Sequence, residues 1–237
     1  PNVHDPRSGE ILESHIGWYH NIMSLLRNWY LIQTAAVDPA ARKKKFDDKL
    51  MGELIRFVSS HEVGHTLGLR HNMGASSATP VEKLRDKDYQ EKNGHTSSIM
   101  DYARFNYVAQ PEDGVTSLFP RIGDYDKWAI KWGYSYFEDA KNEAQEKAIL
   151  NEMTKEAYKN NRLWFGTETS PYDPRYQTED IGDNAMRASE YGIKNLKRIL
   201  PNLLEWSKEN GESYAELEEL YGALTGQFRR YMGHVTK

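Results

Sequence analysis

Cysteine is absent from the 237 residues, which excludes disulfide bonds, thiolate nucleophiles and zinc sites with cysteine ligands. No apolar run approaches the ~20 residues that a membrane-spanning helix needs, so we expect no membrane span. A basic surplus is also missing, because 31 Lys and Arg stand against 35 Asp and Glu, for a net charge of −4. This balance argues against a general nucleic-acid-binding protein.

The residues that are present indicate a folded protein. Aromatic residues make up 12% of the chain, a content that argues against disorder. The chain begins at Pro1 rather than Met, and no charged start is followed by an apolar stretch, so we expect no signal peptide in this sequence. We expect a piece of a longer protein, whose further domains would be partners of this one.

Hydrophobic spacing predicts an α+β fold that is mostly helical. Residues 10–17 alternate as a short strand, whereas the second half of the chain has helical patterns almost throughout. The clearest helix is predicted at about residues 47–67. One face of that helix carries Leu50, Leu54, Phe57, Val58, His61 and His65.

The pattern HEVGHTLGLRH, residues 61–71, indicates a metal site. His61 and His65 are four residues apart, about one helical turn, so both imidazoles project from the same face and can reach one ion. Glu62 lies ~100° round the helix from His61, beside the site but not forced to coordinate. Zinc lowers the pKa of a bound water to about 7, and Glu62 can take its proton.

The third histidine requires the helix to end. In a continued helix, His71 would lie ~9 Å along the axis from His65 and point away from the metal. Gly68 tolerates the left-handed conformation that ends a helix. A helix end at this glycine would allow His71 to turn back to the metal. Three imidazoles leave a fourth position open for water, as hydrolysis requires. The alternative, in which His61 and His65 are core histidines, would bury two imidazoles without a shared partner.

Residues 61–71 match the long zinc motif of the metzincin metallopeptidases, and SIMDY, residues 98–102, resembles the Met-turn of that clan. The resemblance implies one catalytic Zn²⁺ on the three histidines, with Met100 as an apolar floor beneath them. It also makes Tyr102 a candidate to stabilise the oxyanion. From composition alone, Met100 is a core methionine. Tyr102 can also be explained as a buried tyrosine whose hydroxyl is hydrogen-bonded.

Residues 5–12 and 122–134 add a resemblance to large bacterial metzincin-like proteases. The resemblance implies a metzincin-like zincin core with a truncated N-terminal sheet in residues 1–136, and a helical C-terminal subdomain in residues 137–237. It further implies a secreted or periplasmic protein.

The predicted function is a zinc-dependent endopeptidase that hydrolyses polypeptides with a water activated by Glu62. Two alternatives stay open. One is a helical binding or scaffold module with a structural zinc, and the other is a zinc hydrolase of a non-peptide bond.

Two polar residues close to the motifs carry weaker signals. His95 is predicted to be a surface loop histidine. Asn72 follows the third histidine of the motif and is predicted either to hold it through a hydrogen bond or to be a plain turn residue.

Overall fold

A computed structural model describes residues 2–167 and 172–236. These residues contain a two-stranded sheet, with strands β1 (Asn2–His4) and β2 (Ile11–Ser14). The other regular elements are helices, which confirms the predicted α+β fold that is mostly helical. The α-helices are α1 (Asn21–Thr34), α2 (Asp48–Thr66), α3 (Lys87–Asn93), α4 (Asp124–Tyr134), α5 (Glu143–Ala157), α6 (Ala185–Ile199), α7 (Leu203–Ser207) and α8 (Ala215–Thr236).

The sheet is an antiparallel hairpin beside the C-terminal end of α2. Asn2 lies opposite Ser14, and the register is irregular between Val3 and His4. The side-chain amide of Asn2 donates a hydrogen bond to the carbonyl oxygen of His65, at 3.3 Å. The hairpin is therefore attached where α2 ends.

Helix α2 begins at a side-chain cap and carries one apolar stripe. The Asp47 carboxylate accepts a hydrogen bond from the Leu50 backbone N–H, at 2.9 Å, and so satisfies one of the free donors of the first turn. Leu50, Leu54 and Phe57 are buried along the helix, and His61 continues their face. The hydrophobic stripe thus carries the first histidine of the motif into the interior.

The C-terminal helices complete a shared core. Helices α6 and α8 pack against each other and against α1, while α7 packs on α8. The largest fully buried side chains come from both halves of the chain: Tyr107, Tyr231, Phe105, Leu26, Leu31, Leu54, Leu84, Met100, Ile181, Ile199, Leu203 and Leu220. Burial of this apolar surface is the main stabilising contribution to such a fold.

The division into a catalytic region, residues 1–136, and a helical subdomain, residues 137–237, stays a prediction. Pro1, residues 168–171 and Lys237 belong to those ranges but lie outside the described residues. Among the helices that the structure describes, none has the length and apolar character needed to cross a membrane.

Candidate metal centre

Three imidazoles converge at the end of α2. His61 and His65 project from successive turns, with ring centroids 4.8 Å apart. The helix ends just before Gly68, whose φ of 87° is left-handed, and the chain turns back. His71 returns so that its Nε2 lies 3.1 Å from the Nε2 of His65. One ligand atom from each histidine lies within 4.8 Å of the others, so the three can hold a metal ion.

Backbone carbonyls orient two of these rings. The Nδ1 of His61 lies 2.8 Å from the Ile99 carbonyl oxygen, and the Nδ1 of His65 lies 2.9 Å from that of Leu69. A carbonyl oxygen can only accept, so both Nδ1 atoms carry the proton and both Nε2 atoms present a lone pair. Hydrogen bonds of this kind fix the tautomer of metal-binding histidines.

The donor set fits zinc. The Nε2 of His61 is buried and has no hydrogen-bond partner among the described residues. A buried polar atom without a partner is costly, and an ion at the centre of the three rings would satisfy it. Burial, aided by the charges of His65, His71 and Arg104, lowers the pKa of His61 to about 4. The ring is therefore neutral at pH 7, the form that binds metals.

The turn at residues 98–102 lies against α2. Met100 is fully buried, and its Sδ packs so closely on Gly64 that a Cβ at that position would overlap the sulfur. Asp126, on α4, fixes the turn from the other side. Its carboxylate accepts from the Ser98 hydroxyl, at 2.6 Å, and from the Ile99 backbone N–H, at 2.7 Å.

Asn72 links the motif to two other segments. Its backbone N–H donates to the Met100 carbonyl, at 3.1 Å. Its side-chain amide donates to the Trp164 carbonyl and accepts from the Gly166 N–H, each at 2.9 Å. Asn72 is therefore more than a plain turn residue, because it fixes residues 164–166 and the Met100 turn next to the third histidine.

Of the two predicted catalytic residues, Tyr102 packs against the histidines. Tyr102 is partly buried, and its ring centroid is 4.5 Å from that of His71 and 5.4 Å from that of His61. Glu62 is partly buried next to His61 and is not one of the three metal-holding residues. The chemical roles of these two residues stay predictions.

The prediction for His95 is wrong, because the side chain is fully buried. Its Nε2 lies 3.1 Å from the Arg104 carbonyl oxygen, and burial lowers its pKa to about 4. Loop residues are usually exposed, whereas the loop around His95 is interior here. No local sequence pattern distinguishes this histidine.

The chain matches the model of a known protein family. The Met-zincin family matches residues 43–237, which include the three histidines, the Met100 turn and all the C-terminal helices. Neither a curated protein nor a solved structure matches the chain. The matched range covers most of the sequence and contains the metal centre described above, and the chain therefore belongs to the Met-zincin family.

Proposed function

We propose that this chain is a zinc-dependent endopeptidase. The observation that carries the proposal is the convergence of His61, His65 and His71, with Nε2 of His61 buried and without a partner among the described residues. A zinc ion held there would polarise a substrate carbonyl and lower the pKa of a water to about 7.

Glu62 acts as the general base and then the general acid in this proposal. It accepts a proton from the attacking water and passes it to the leaving amine of the cleaved peptide. Its place on α2 next to His61, and its absence from the metal-holding group, support this role. A carboxylate that also bound the metal would be less available for proton transfer.

Tyr102 stabilises the oxyanion that develops on the scissile carbonyl. Support comes from its ring, 4.5 Å from that of His71 at the edge of the metal centre. A hydroxyl that is already positioned where charge develops costs little reorganisation when the reaction occurs. Met100 has no chemical step in this proposal and supports the metal centre from beneath, through its contact with Gly64.

The structural-zinc alternative requires a fourth protein ligand that closes the site. Within residues 2–167 and 172–236, the metal-holding group contains only the three histidines. This observation favours an open site. The third alternative, hydrolysis of a non-peptide bond, uses the same metal chemistry and is separated from ours by its substrate.

The substrate, partners and location follow from the family resemblance. We propose that the substrate is a polypeptide, that the protein is secreted or periplasmic, and that further domains of a longer protein accompany this one. We also propose a catalytic region in residues 1–136 and a helical subdomain in residues 137–237.

The decisive experiment is Glu62→Gln in the zinc-loaded chain. We expect zinc binding to persist and cleavage of an unfolded protein substrate to fall by about 10²–10⁴-fold, as loss of a general base predicts. Glu53→Gln, on the same helix, is the control, because Glu53 pairs with Arg56 at the surface. Zinc content and the cleavage rate are measured for both variants.

Two outcomes would contradict the proposal. Full cleavage by Glu62→Gln would show that Glu62 is not the base. No cleavage by the unaltered zinc-loaded chain, together with no spectral response of its cobalt form to a hydroxamate, would indicate a closed structural site instead.

A further inference from the structure

Two residues other than glycine have a positive φ in the part of the chain that the structure describes. They are Arg104, with φ of 56°, and Glu179, with φ of 62°. Such conformations are strained for residues with a Cβ, and they persist only where the surroundings determine them. Although the two residues are far apart in sequence, they are partners: the Nε of Arg104 lies 3.5 Å from a Glu179 carboxylate oxygen.

Arg104 is held between two aromatic rings. Its guanidinium carbon lies 3.6 Å from the centroid of the Trp29 ring and 4.8 Å from that of Tyr102. The side chain is only 17% exposed, so the cation–π contacts with both rings are largely shielded from water. His95 fixes the backbone at the same residue, because its Nε2 lies 3.1 Å from the Arg104 carbonyl oxygen.

Glu179 contacts both Arg104 and the backbone of Tyr102. Its carboxylate is 5% exposed and accepts a hydrogen bond from the Gln33 amide, at 2.8 Å. A second cation, Arg230 on α8, lies 3.6 Å from the same carboxylate. The backbone N–H of Glu179 donates to the Tyr102 carbonyl oxygen, at 2.8 Å. Both strained residues therefore contact Tyr102, Arg104 at its ring and Glu179 at its backbone.

We propose that Arg104 is a positioning residue, which stacks on the ring of Tyr102 and fixes it beside His71. Glu179 and Trp29 hold the guanidinium in place. The consequence for catalysis rests on the proposed function, whereas the fixing of the ring does not. A shift of about 1 Å in a reacting group can cost up to ~100-fold in rate, which makes such a support useful for a tyrosine on a loop.

The ring is tested first in the zinc-free chain. Tyr102 is replaced by 3-fluorotyrosine at that one position, because the chain has 15 tyrosines, and fluorine NMR spectra are recorded. Arg104→Met keeps an apolar stem against Trp29 but removes the planar cation. In this variant we expect the fluorine resonance at position 102 to move towards its position in the urea-unfolded chain. We also expect a larger difference between the fluorine chemical shifts measured in H₂O and in D₂O.

Kinetics of the zinc-loaded chain give the second readout. We expect Arg104→Met to lower kcat by about 10- to 100-fold while KM changes by less than about 2-fold, as loss of transition-state positioning predicts. Zinc affinity should not change. Arg187→Met is the matched control, since Arg187 also stacks on a tyrosine, Tyr191, at 4.6 Å, and pairs with Glu82. It should alter neither readout.

An unmoved resonance in Arg104→Met would overturn the proposal. A moved resonance with unchanged kcat would confirm that Arg104 fixes the ring and would overturn the consequence for catalysis. If Arg104→Met does not fold, Arg104→Lys decides instead, because it keeps a cation opposite Glu179 but lacks the planar face. We expect a smaller displacement of the same sign, and no displacement would overturn the stacking. If the unaltered chain cleaves no peptide, the proposed function fails while the fluorine comparison still tests the ring.

Discussion

The histidine side and the tyrosine side of the metal centre are built in opposite ways. The histidine side is residues 61–71, a continuous stretch of chain in which a helix and its end bring three rings together. The tyrosine side is assembled from residues that are remote in sequence: Trp29, Tyr102, Arg104 and Glu179. The first side follows from helical spacing and from the glycine that ends the helix, whereas the second depends on the packing of several segments.

The difference shows where backbone strain is needed. On the histidine side, the left-handed position is Gly68, which adopts that conformation without a steric penalty. On the tyrosine side, the left-handed positions are Arg104 and Glu179, whose side chains are themselves used as partners. A glycine could relieve the strain there but could not supply the cation or the carboxylate.

The largest expected effect removes a ligand from the histidine side. We expect His71→Ala to weaken zinc binding by more than about 100-fold. Mutation of a residue that only hydrogen-bonds to a metal ligand already costs about 10–100-fold in metal affinity or activity, and His71 is itself a predicted ligand. The measurement is a competition titration against a coloured chelator. His20→Ala, an exposed histidine just before α1, is the control. Equal zinc affinity in both variants would refute the three-histidine site.

The next effect concerns Asp101, which stands between Met100 and Tyr102 in the sequence. Its carboxylate is buried and accepts from the Ser76 N–H, at 2.7 Å, and the Thr96 hydroxyl, at 3.1 Å. Burial raises its pKa to about 7, with a contribution from Asp180 and in opposition to those hydrogen bonds. The folded protein therefore binds more protons here than the unfolded chain between about pH 4 and pH 7, so this group makes stability fall as pH rises.

Asp101→Asn should remove that dependence. We expect the stability of the variant relative to the unaltered chain to increase from pH 4 to pH 7, by on the order of 2–4 kcal/mol. Urea unfolding across this range measures the difference. Asp139→Asn, at an exposed position, is the control. A relative stability that does not change with pH would show that the buried carboxyl is not protonated in the folded state.

The smallest expected effect concerns the contact of Met100 with Gly64. We expect Gly64→Ala to destabilise the fold by ~1–3 kcal/mol, because the added methyl group would overlap the Met100 sulfur. Gly52→Ala, on the same helix, is the matched control. A Cβ there meets nothing within 4 Å, so the helix should gain ~0.5–1 kcal/mol. Thermal unfolding of both variants measures this, and equal stabilities would show that Met100 does not press on Gly64.

Sequence reasoning predicted the mostly helical fold and the meeting of His61, His65 and His71. It predicted the α2 helix at about residues 47–67, and the structure has it at Asp48–Thr66. A periodic apolar stripe is a local signal, which is why it can be read directly from the sequence. The prediction that the helix ends near Gly68 rests on the glycine itself and on the position of His71. In a continued helix, His71 could not return to the other two histidines.

Sequence reasoning missed several residues of this region for one physical reason. His95 and Arg104 belong to a loop that turns inward, and burial of a loop depends on what packs over it. Glu179 meets Tyr102 through a backbone hydrogen bond between two segments that are remote in the sequence. The spacing of residues in the sequence does not indicate such a contact, because no local period relates its two partners.

The sequence by itself determined the place of the candidate metal site, because helical spacing and one glycine suffice to bring three imidazoles together. Only the tertiary structure decided which groups surround Tyr102. Those contacts join α1, the loop after the Met100 turn and the segment before α6, which no local period relates. Surroundings that determine the conformation in this way are what allow two strained residues to persist.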